Sequence, residues 1–182
     1  DQLIVATRQG MAIRFNETDA RVLGRTARGV RALNLEEDDI VVGMVPVMEN
    51  TTVLTVSENG QGRRTDPAEY RLQSRGGKGI KNYDTQKNGP VAGVLAVGEE
   101  DDVILISDDG IIIRIPVAEI STQSRYAGGV RVMRIGEGSR LVSLCRAPHE
   151  DEEEAAAESE APVEAETPAE ETADSTETPA EE

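Results

Sequence analysis

Three stretches decide the fold of this chain: Leu3-Ile4-Val5-Ala6-Thr7 running on to Gly10, Val53-Leu54-Thr55-Val56-Ser57 running on to Gly60, and Val103-Ile104-Leu105-Ile106-Ser107 running on to Gly110. They sit 50 residues apart with no insertion between copies. The register holds well beyond them. Gly29, Gly79 and Gly129 coincide, as do Val30, Ile80 and Val130, and Asp19, Glu69 and Glu119 form an acidic column. Self-similarity at this period is the mark of a repeat architecture. Each pentad is rich in β-branched residues, which favour a strand. Asn59-Gly60 and Asp109-Gly110 supply the positive φ angles of a tight hairpin, so a second strand returns beside the first: Met11–Phe15 in the first copy, Ile111–Ile115 in the third.

A connection of about a dozen polar and small residues follows in each copy, long enough to reach across a neighbouring unit. A third strand is expected from Val30, Ile80 and Val130, and a fourth over Ile40–Val47, Val91–Val97 and Leu141–Ala147. Pro67 and Pro116 are read into the long connections, where a missing N–H does least harm. Four strands per copy without helical periodicity predict an all-β, propeller-like array of three four-stranded blades: residues 1–48, 49–98 and 99–149. Three blades fall short of the usual closed ring of about four to eight, and the chain starts on Asp1 at the edge of a strand. Both features lead to the expectation of further units upstream, so that these blades are part of a larger ring.

Composition divides the 182 residues in two. Residues 1–149 hold all 19 Lys and Arg, all 17 Gly and 20 of the 35 acidic residues, a net charge of 19 − 20 = −1. Residues 150–182 carry the other 15 acids, eight Ala, three Pro and a single Val163. So little apolar surface cannot offset the entropy of ordering, and a disordered acidic tail is expected. The lone Cys145 excludes an internal disulfide and points to a reducing compartment. No apolar run reaches the ~20 residues of a membrane helix. His149 is the only histidine, at the edge of the tail, which leaves Ser or Cys catalysis without a base. Neither a phosphate-binding loop nor an EF-hand occurs, so no catalytic residue, metal ligand or cofactor is assigned to this chain.

The basic residues carry the functional signal. Arg14, Arg64 and Arg114 share one column, Arg25, Arg75 and Arg125 a second, and Arg31, Lys81 and Arg131 a third, with Arg28 and Lys78 recurring in two copies. In an array of blades such columns become a recurring set of cations along one edge. Double-stranded DNA, with about one phosphate charge per 1.7 Å of axis, is the partner that suits it. The second and third columns bracket the loop R-x-x-x-G-[VI]-[RK], where glycine lets a backbone come close, and phosphate contact is expected there. For Arg14, Arg64 and Arg114 two readings stand: phosphate contact, or ion pairs with the Asp19, Glu69 and Glu119 column. The four aromatics are scattered, which disfavours base stacking and single-strand binding. The tail, a tethered run of carboxylates, reads as a competitor for those cations or as a solubility extension.

The G-x-x-x-R hairpin, the R-x-x-x-G-[VI]-[RK] loop, Glu69-Tyr70, Ala118-Glu119-Ile120-Ser121 and the acidic tail resemble the C-terminal domain of the A subunit of bacterial DNA gyrase. The resemblance covers about residues 1–147. It implies a β-pinwheel of about six blades that exchange strands, here the last three, with duplex DNA wrapped on the rim. It further implies membership of an A2B2 complex with the B subunit of gyrase, a cytoplasmic, nucleoid-associated type II topoisomerase that uses ATP and Mg2+ to introduce negative supercoils. In that family the active-site tyrosine and the ATP site lie elsewhere, so Tyr70, Tyr83 and Tyr126 inherit no catalytic role. Gln73-Ser74-Arg75-Gly76-Gly77-Lys78-Gly79 is similar to the gyrase box but departs from it at Ser74 and sits in a late repeat. It reads as a box-like loop with the true box upstream, or as the box itself. The topoisomerase IV counterpart is an alternative. So is a propeller that serves as a protein-interaction platform, although WD and kelch signatures are absent.

Overall fold

A computed structural model describes residues 1–149; the expected disorder of 150–182 lies outside the described residues. Each apolar pentad forms a strand paired antiparallel with the one that follows its glycine turn: β1 (Gln2–Thr7) with β2 (Met11–Asn16), β4 (Thr52–Ser57) with β5 (Gln61–Thr65), and β8 (Asp101–Ser107) with β9 (Ile112–Pro116). The turn glycines Gly10, Gly60 and Gly110 all take φ between 75° and 86°, the conformation for which glycine is the natural residue. In the third copy β9 begins one residue later than expected, because the Ile111 carbonyl still closes the turn by accepting from the Ser107 N–H. Pro116 is the last residue of β9, not part of the connection; ending a strand, it leaves the ladder intact.

On the other side of each hairpin lies the fourth predicted strand: β3 (Val41–Val47) on β1, β7 (Val91–Val97) on β4 and β11 (Leu141–Pro148) on β8. All three pairings carry an irregularity near the same end, at Ala6/Thr7, Val56/Ser57 and Leu141/Ser143. These strands also bring the copies together. A Cβ on Gly43 would lie 2.8 Å from the Val94 side chain, and one on Gly93 would lie 2.4 Å from Leu144, so the missing side chain sets the approach of β3 to β7 and of β7 to β11. In the third copy the column holds Ser143, which is exposed.

The third strand does not stay in its own copy. β6 (Ile80–Lys81) pairs with β2, opposite Ala12 and Met11, and β10 (Val130–Arg131) pairs with β5, opposite Gly62 and Gln61. Two four-stranded sheets result, β3-β1-β2-β6 and β10-β5-β4-β7, beside a three-stranded one, β11-β8-β9. Val30, which would need the edge of a preceding copy, forms no strand. A short helix, α1 (Thr85–Asn88), occurs in the second copy.

Exchange makes the cores shared. Ile4, Ala6, Ala12 and Val45 of the first copy pack with Val53, Tyr70, Tyr83 and Val91 of the second. Leu54, Val56 and Val97 pack in turn with Val103, Leu105, Ile120, Met133 and Leu141. Burying a side chain of this size is worth about 1.5–3 kcal/mol, so neighbours stabilise one another, while Val5, Ile13, Phe15 and Leu33 form a core within the first copy itself.

Candidate nucleic-acid interface

The long connection leaves β2, β5 or β9 through a single 3-10 turn, at Glu17–Asp19, Pro67–Glu69 and Val117–Glu119. In the second and third copies it then runs over the preceding copy before its glycine delivers the exchanged strand. Gln73 N–H donates to the Arg14 carbonyl at 2.8 Å, and Gln123 N–H to the Arg64 carbonyl at 2.8 Å. Gly79 takes φ +77°, its backbone so close to Ala12 that a Cβ would lie 2.4 Å from that carbonyl oxygen; Gly129 repeats this over Gly62. In the second and third copies the R-x-x-x-G-[VI]-[RK] loop is therefore the piece seated on the neighbour's edge.

Arg75 and Arg125 stand half-buried at the base of that loop. Arg75 donates to the Arg31 carbonyl and, at 3.2 Å, to the Asp19 carbonyl. Arg125 donates to the Lys81 carbonyl and to the Tyr126 hydroxyl at 2.7 Å, its guanidinium 4.4 Å from the Tyr126 ring centre. Among the described residues neither forms a salt bridge with a side-chain carboxylate. Lys78 meets Glu36 at 2.9 Å, and both groups are mostly exposed; the contact raises the Lys78 ammonium above its ordinary pKa. Such surface pairs are worth about 0–1 kcal/mol and yield readily to a competing anion. Lys81 lies 3.5 Å from Asp84. Arg25, Arg28, Arg31 and Arg131 are exposed and make no side-chain hydrogen bond or ion pair among the described residues.

The column of Arg14, Arg64 and Arg114 does something else, and neither sequence reading describes it. Arg14 donates to Gln2 Oε1 at 2.7 Å and to the carbonyls of Pro67 and Tyr70 at 2.7 and 3.2 Å. Arg64, 5% exposed, donates to the Ile120 carbonyl at 2.5 Å and pairs with Glu99, whose carboxyl it holds below the usual range. Arg114 takes Asp102 at 2.7 Å and the Pro148 carbonyl at 2.6 Å. In the first two copies the guanidinium caps the 3-10 turn of the next copy, a carbonyl-rich chain end that welcomes five N–H donors. The expected acidic partners are engaged elsewhere or face solvent: Glu69 accepts from the Arg125 N–H at 2.7 Å.

Sequence reasoning passed over Arg63. It shares a column with Ile13 and Ile113, and it is fully buried. A cation in an otherwise apolar column was the available signal.

Blades joined by exchanged strands, with basic loops laid on each joint, define the β-pinwheel class of propeller-like repeat proteins. The chain belongs to the family described as DNA gyrase C-terminal domain, beta-propeller, whose model matches residues 1–48, 51–97 and 101–144. It is similar to the DNA gyrase A subunit of Haloquadratum walsbyi, 49% identical over 63 residues that make up 34% of this chain and 7% of the relative. A solved DNA gyrase A C-terminal domain superimposes with a TM-score of 0.74 at 32% identity, covering 80% of this chain and 50% of that one. The C-terminal domain of a DNA topoisomerase IV gives a TM-score of 0.77 over 87% of this chain and 50% of that one; its 23% identity bears on the fold alone. The chain thus spans about half the length of the solved domains and under a tenth of the curated relative.

Proposed function

We propose that this chain is the DNA-wrapping module of a gyrase A subunit, which bends duplex DNA along a rim and presents it to the cleavage gate of an ATP-dependent type II topoisomerase. The observation that carries the reading is the recurrence of free or weakly held cations on the R-x-x-x-G-[VI]-[RK] loops: Arg25, Arg28 and Arg31, then Lys78 and Lys81, then Arg131, with Arg75 and Arg125 at the bases of the second and third loops. Phosphates bound there release condensed counterions, and that free energy offsets the bending of a 20–30 bp stretch, of order 1–6 kcal/mol. On this reading the loop cations meet phosphates, so the contacts position the duplex without reading its sequence.

The handedness of the wrap would set the sign of the crossing delivered to the gate, and hence negative supercoiling by the A2B2 enzyme in the cytoplasm. ATP and Mg2+ belong, on this reading, to the rest of that enzyme. Among the described residues no group of three or more His, Cys, Asp or Glu is arranged to hold a metal ion, and no helix is long and apolar enough to cross a membrane. The 15 carboxylates of residues 150–182 act as a tethered competitor for the same cations; their removal raises DNA affinity, most at low salt.

The test is a titration of the chain against relaxed plasmid across a salt series, followed by topoisomer analysis. Replacing Arg28, Lys78 and Arg131 with alanine is expected to weaken binding equally across DNA sequences and to lower the salt slope by about 0.9 for each phosphate no longer held. An unchanged slope would remove the loops from the interface.

A further inference from the structure

Arg63 is the residue that the repeat does not explain, since Ile13 and Ile113 fill the same column in the sister copies. Its guanidinium is fully buried and, among the described residues, forms no salt bridge; Nε and Nη2 donate to main-chain carbonyls, while Nη1 has no hydrogen-bond partner. Nε donates to Ala127 at 3.0 Å, and Nη2 donates to Arg125 at 2.6 Å and to Asn82. The cation lies 5.1 Å from the centre of the Tyr83 ring. Tyr83 in turn donates its hydroxyl to the Gly128 carbonyl at 2.8 Å. Asn82 is fixed from its other end, where its Oδ1 accepts from the Tyr70 hydroxyl at 2.6 Å. Three side chains of the second copy, Arg63, Tyr83 and Glu69, thus grip four backbone groups of one rim loop in the third: the N–H and carbonyl of Arg125 and the carbonyls of Ala127 and Gly128.

The sister loop at 75–78 is held differently. It hydrogen-bonds through its main chain, Gly76 N–H to the Ala32 carbonyl at 2.7 Å and the Gly77 carbonyl from Asn34 N–H at 2.8 Å, and through Arg75 itself. Among the described residues no side chain of the first copy reaches a carbonyl of that loop; the corresponding positions are Ile13 and Leu33. One rim loop is set by side chains that reach its carbonyls from the copy beneath, the other by main-chain bonds and by its own Arg75 and Lys78.

We infer that Arg63 is a positioning residue for DNA binding: from inside the second copy it fixes loop 125–128 so that Arg125 and Arg131 meet the phosphate backbone, without touching DNA itself. The inference rests on the DNA-wrapping reading above. Arginine suits the place, because its rigid planar guanidinium reaches the carbonyls of Ala127, Arg125 and Asn82 from two separate nitrogens, whereas the three donors of lysine radiate from one nitrogen.

The experiment uses the full chain and three variants: R63M, R63K and Y83F, the last removing only the bond to Gly128 and leaving the aromatic core in place. Amide hydrogen exchange, duplex affinity against salt and thermal unfolding are measured on each. In R63M, exchange is expected to accelerate roughly tenfold or more at 124–129 and to stay unchanged at 74–79. Duplex affinity falls about tenfold, and the salt slope drops by about 0.9, the signature of one phosphate fewer on the rim. Y83F gives smaller shifts of the same kind in the same loop, which covers the case in which R63M does not fold. R63K restores neither loop protection nor slope. Folded R63M or Y83F with unchanged loop exchange and unchanged slope would overturn the inference while leaving the wrapping reading intact. A wild-type chain that does not bind duplex would overturn both.

Discussion

Arg8 and Glu58 occupy the same position of successive copies, and their side chains pair with each other: Nε to Oε1 at 2.7 Å and Nη2 to Oε2 at 3.1 Å. A main-chain bond runs beside the pair, from the Val91 N–H to the Arg8 carbonyl at 2.8 Å. At the next joint the main-chain bond recurs, Leu141 N–H to the Glu58 carbonyl at 2.8 Å, but Glu58 now faces a copy whose column holds Asp108. Two carboxylates cannot bridge, and Asp108 instead lies 3.5 Å from Arg140 of its own copy. A column that looks merely polar in the sequence is a charge code for the order of neighbours. Swapping it tests this. R8E and E58R should each lower the unfolding midpoint, and the double swap should recover most of the loss, with a coupling of about 0.5–1 kcal/mol for this partly exposed pair. Additive losses in the cycle would show that the pair contributes nothing.

The turn glycines offer a cleaner measure of the joint. Gly60 and Gly110 share a positive φ, 75° and 86°, so alanine strains the backbone equally at both. They differ in what lies beyond: a Cβ on Gly60 would fall 2.2 Å from the Met133 carbonyl oxygen, whereas nothing lies within 4 Å of one on Gly110. G110A is expected to cost about 1 kcal/mol, the strain of the conformation alone. G60A must also push the exchanged strand away and should cost at least about 2 kcal/mol more. Denaturant midpoints for the two variants settle the matter; equal losses would mean that β10 is not held there.

Much of this architecture is legible in the sequence, and the remainder follows one rule. Strands β1, β4 and β8 and their turns are written in local alternation and glycine spacing, which one copy displays by itself. That Ile80 pairs with Ala12 is not written locally, since the edge it meets is identical in kind to the edge of its own copy. Register within a hairpin follows from the turn; the choice of neighbour follows from the reach of the connection, about which composition says little. The arginine columns illustrate the same limit. Arg14 and Arg31 look alike in the sequence, yet the first reaches a neighbour's carbonyls and the second reaches solvent.

Acid should loosen the end of β11. Asp102 is buried beneath His149, at 2.7 Å to Nδ1, and Arg114, at 2.7 Å to Nε, with Asp101 and Arg146 forming a second contact at 3.7 Å alongside. Burial pushes the Asp102 carboxyl up, but the hydrogen bonds and charges of His149 and Arg114 outweigh it and hold the group below its ordinary value. A carboxyl depressed by folding contributes stability that is fully present above its unfolded pKa, about 3.9, and is lost as pH falls through the lower folded value. Denaturant midpoints of the wild type should therefore fall from pH about 4 downward more steeply than those of D102N, which starts lower at neutral pH. Parallel acid limbs would mean that this carboxylate is not linked to folding.

Two arginine classes at one rim predict opposite phenotypes. Arg64 is buried against the Ile120 carbonyl and Glu99, so R64A strands a carbonyl and opens a cavity between copies. A loss of about 2–4 kcal/mol is expected, with the salt slope of DNA binding unchanged in whatever fraction remains folded. Arg131 is exposed and holds no side-chain partner among the described residues. R131A should leave stability within about 0.5 kcal/mol of the wild type, as surface substitutions do, yet lower the slope by about 0.9. Thermal unfolding and salt-dependent duplex titration on the same two proteins separate the roles. If R64A flattened the slope while R131A left it untouched, the exposed loop cations would not be the surface that meets the phosphates, and the buried Arg64 would have to be reached by the duplex after a rearrangement of the joint.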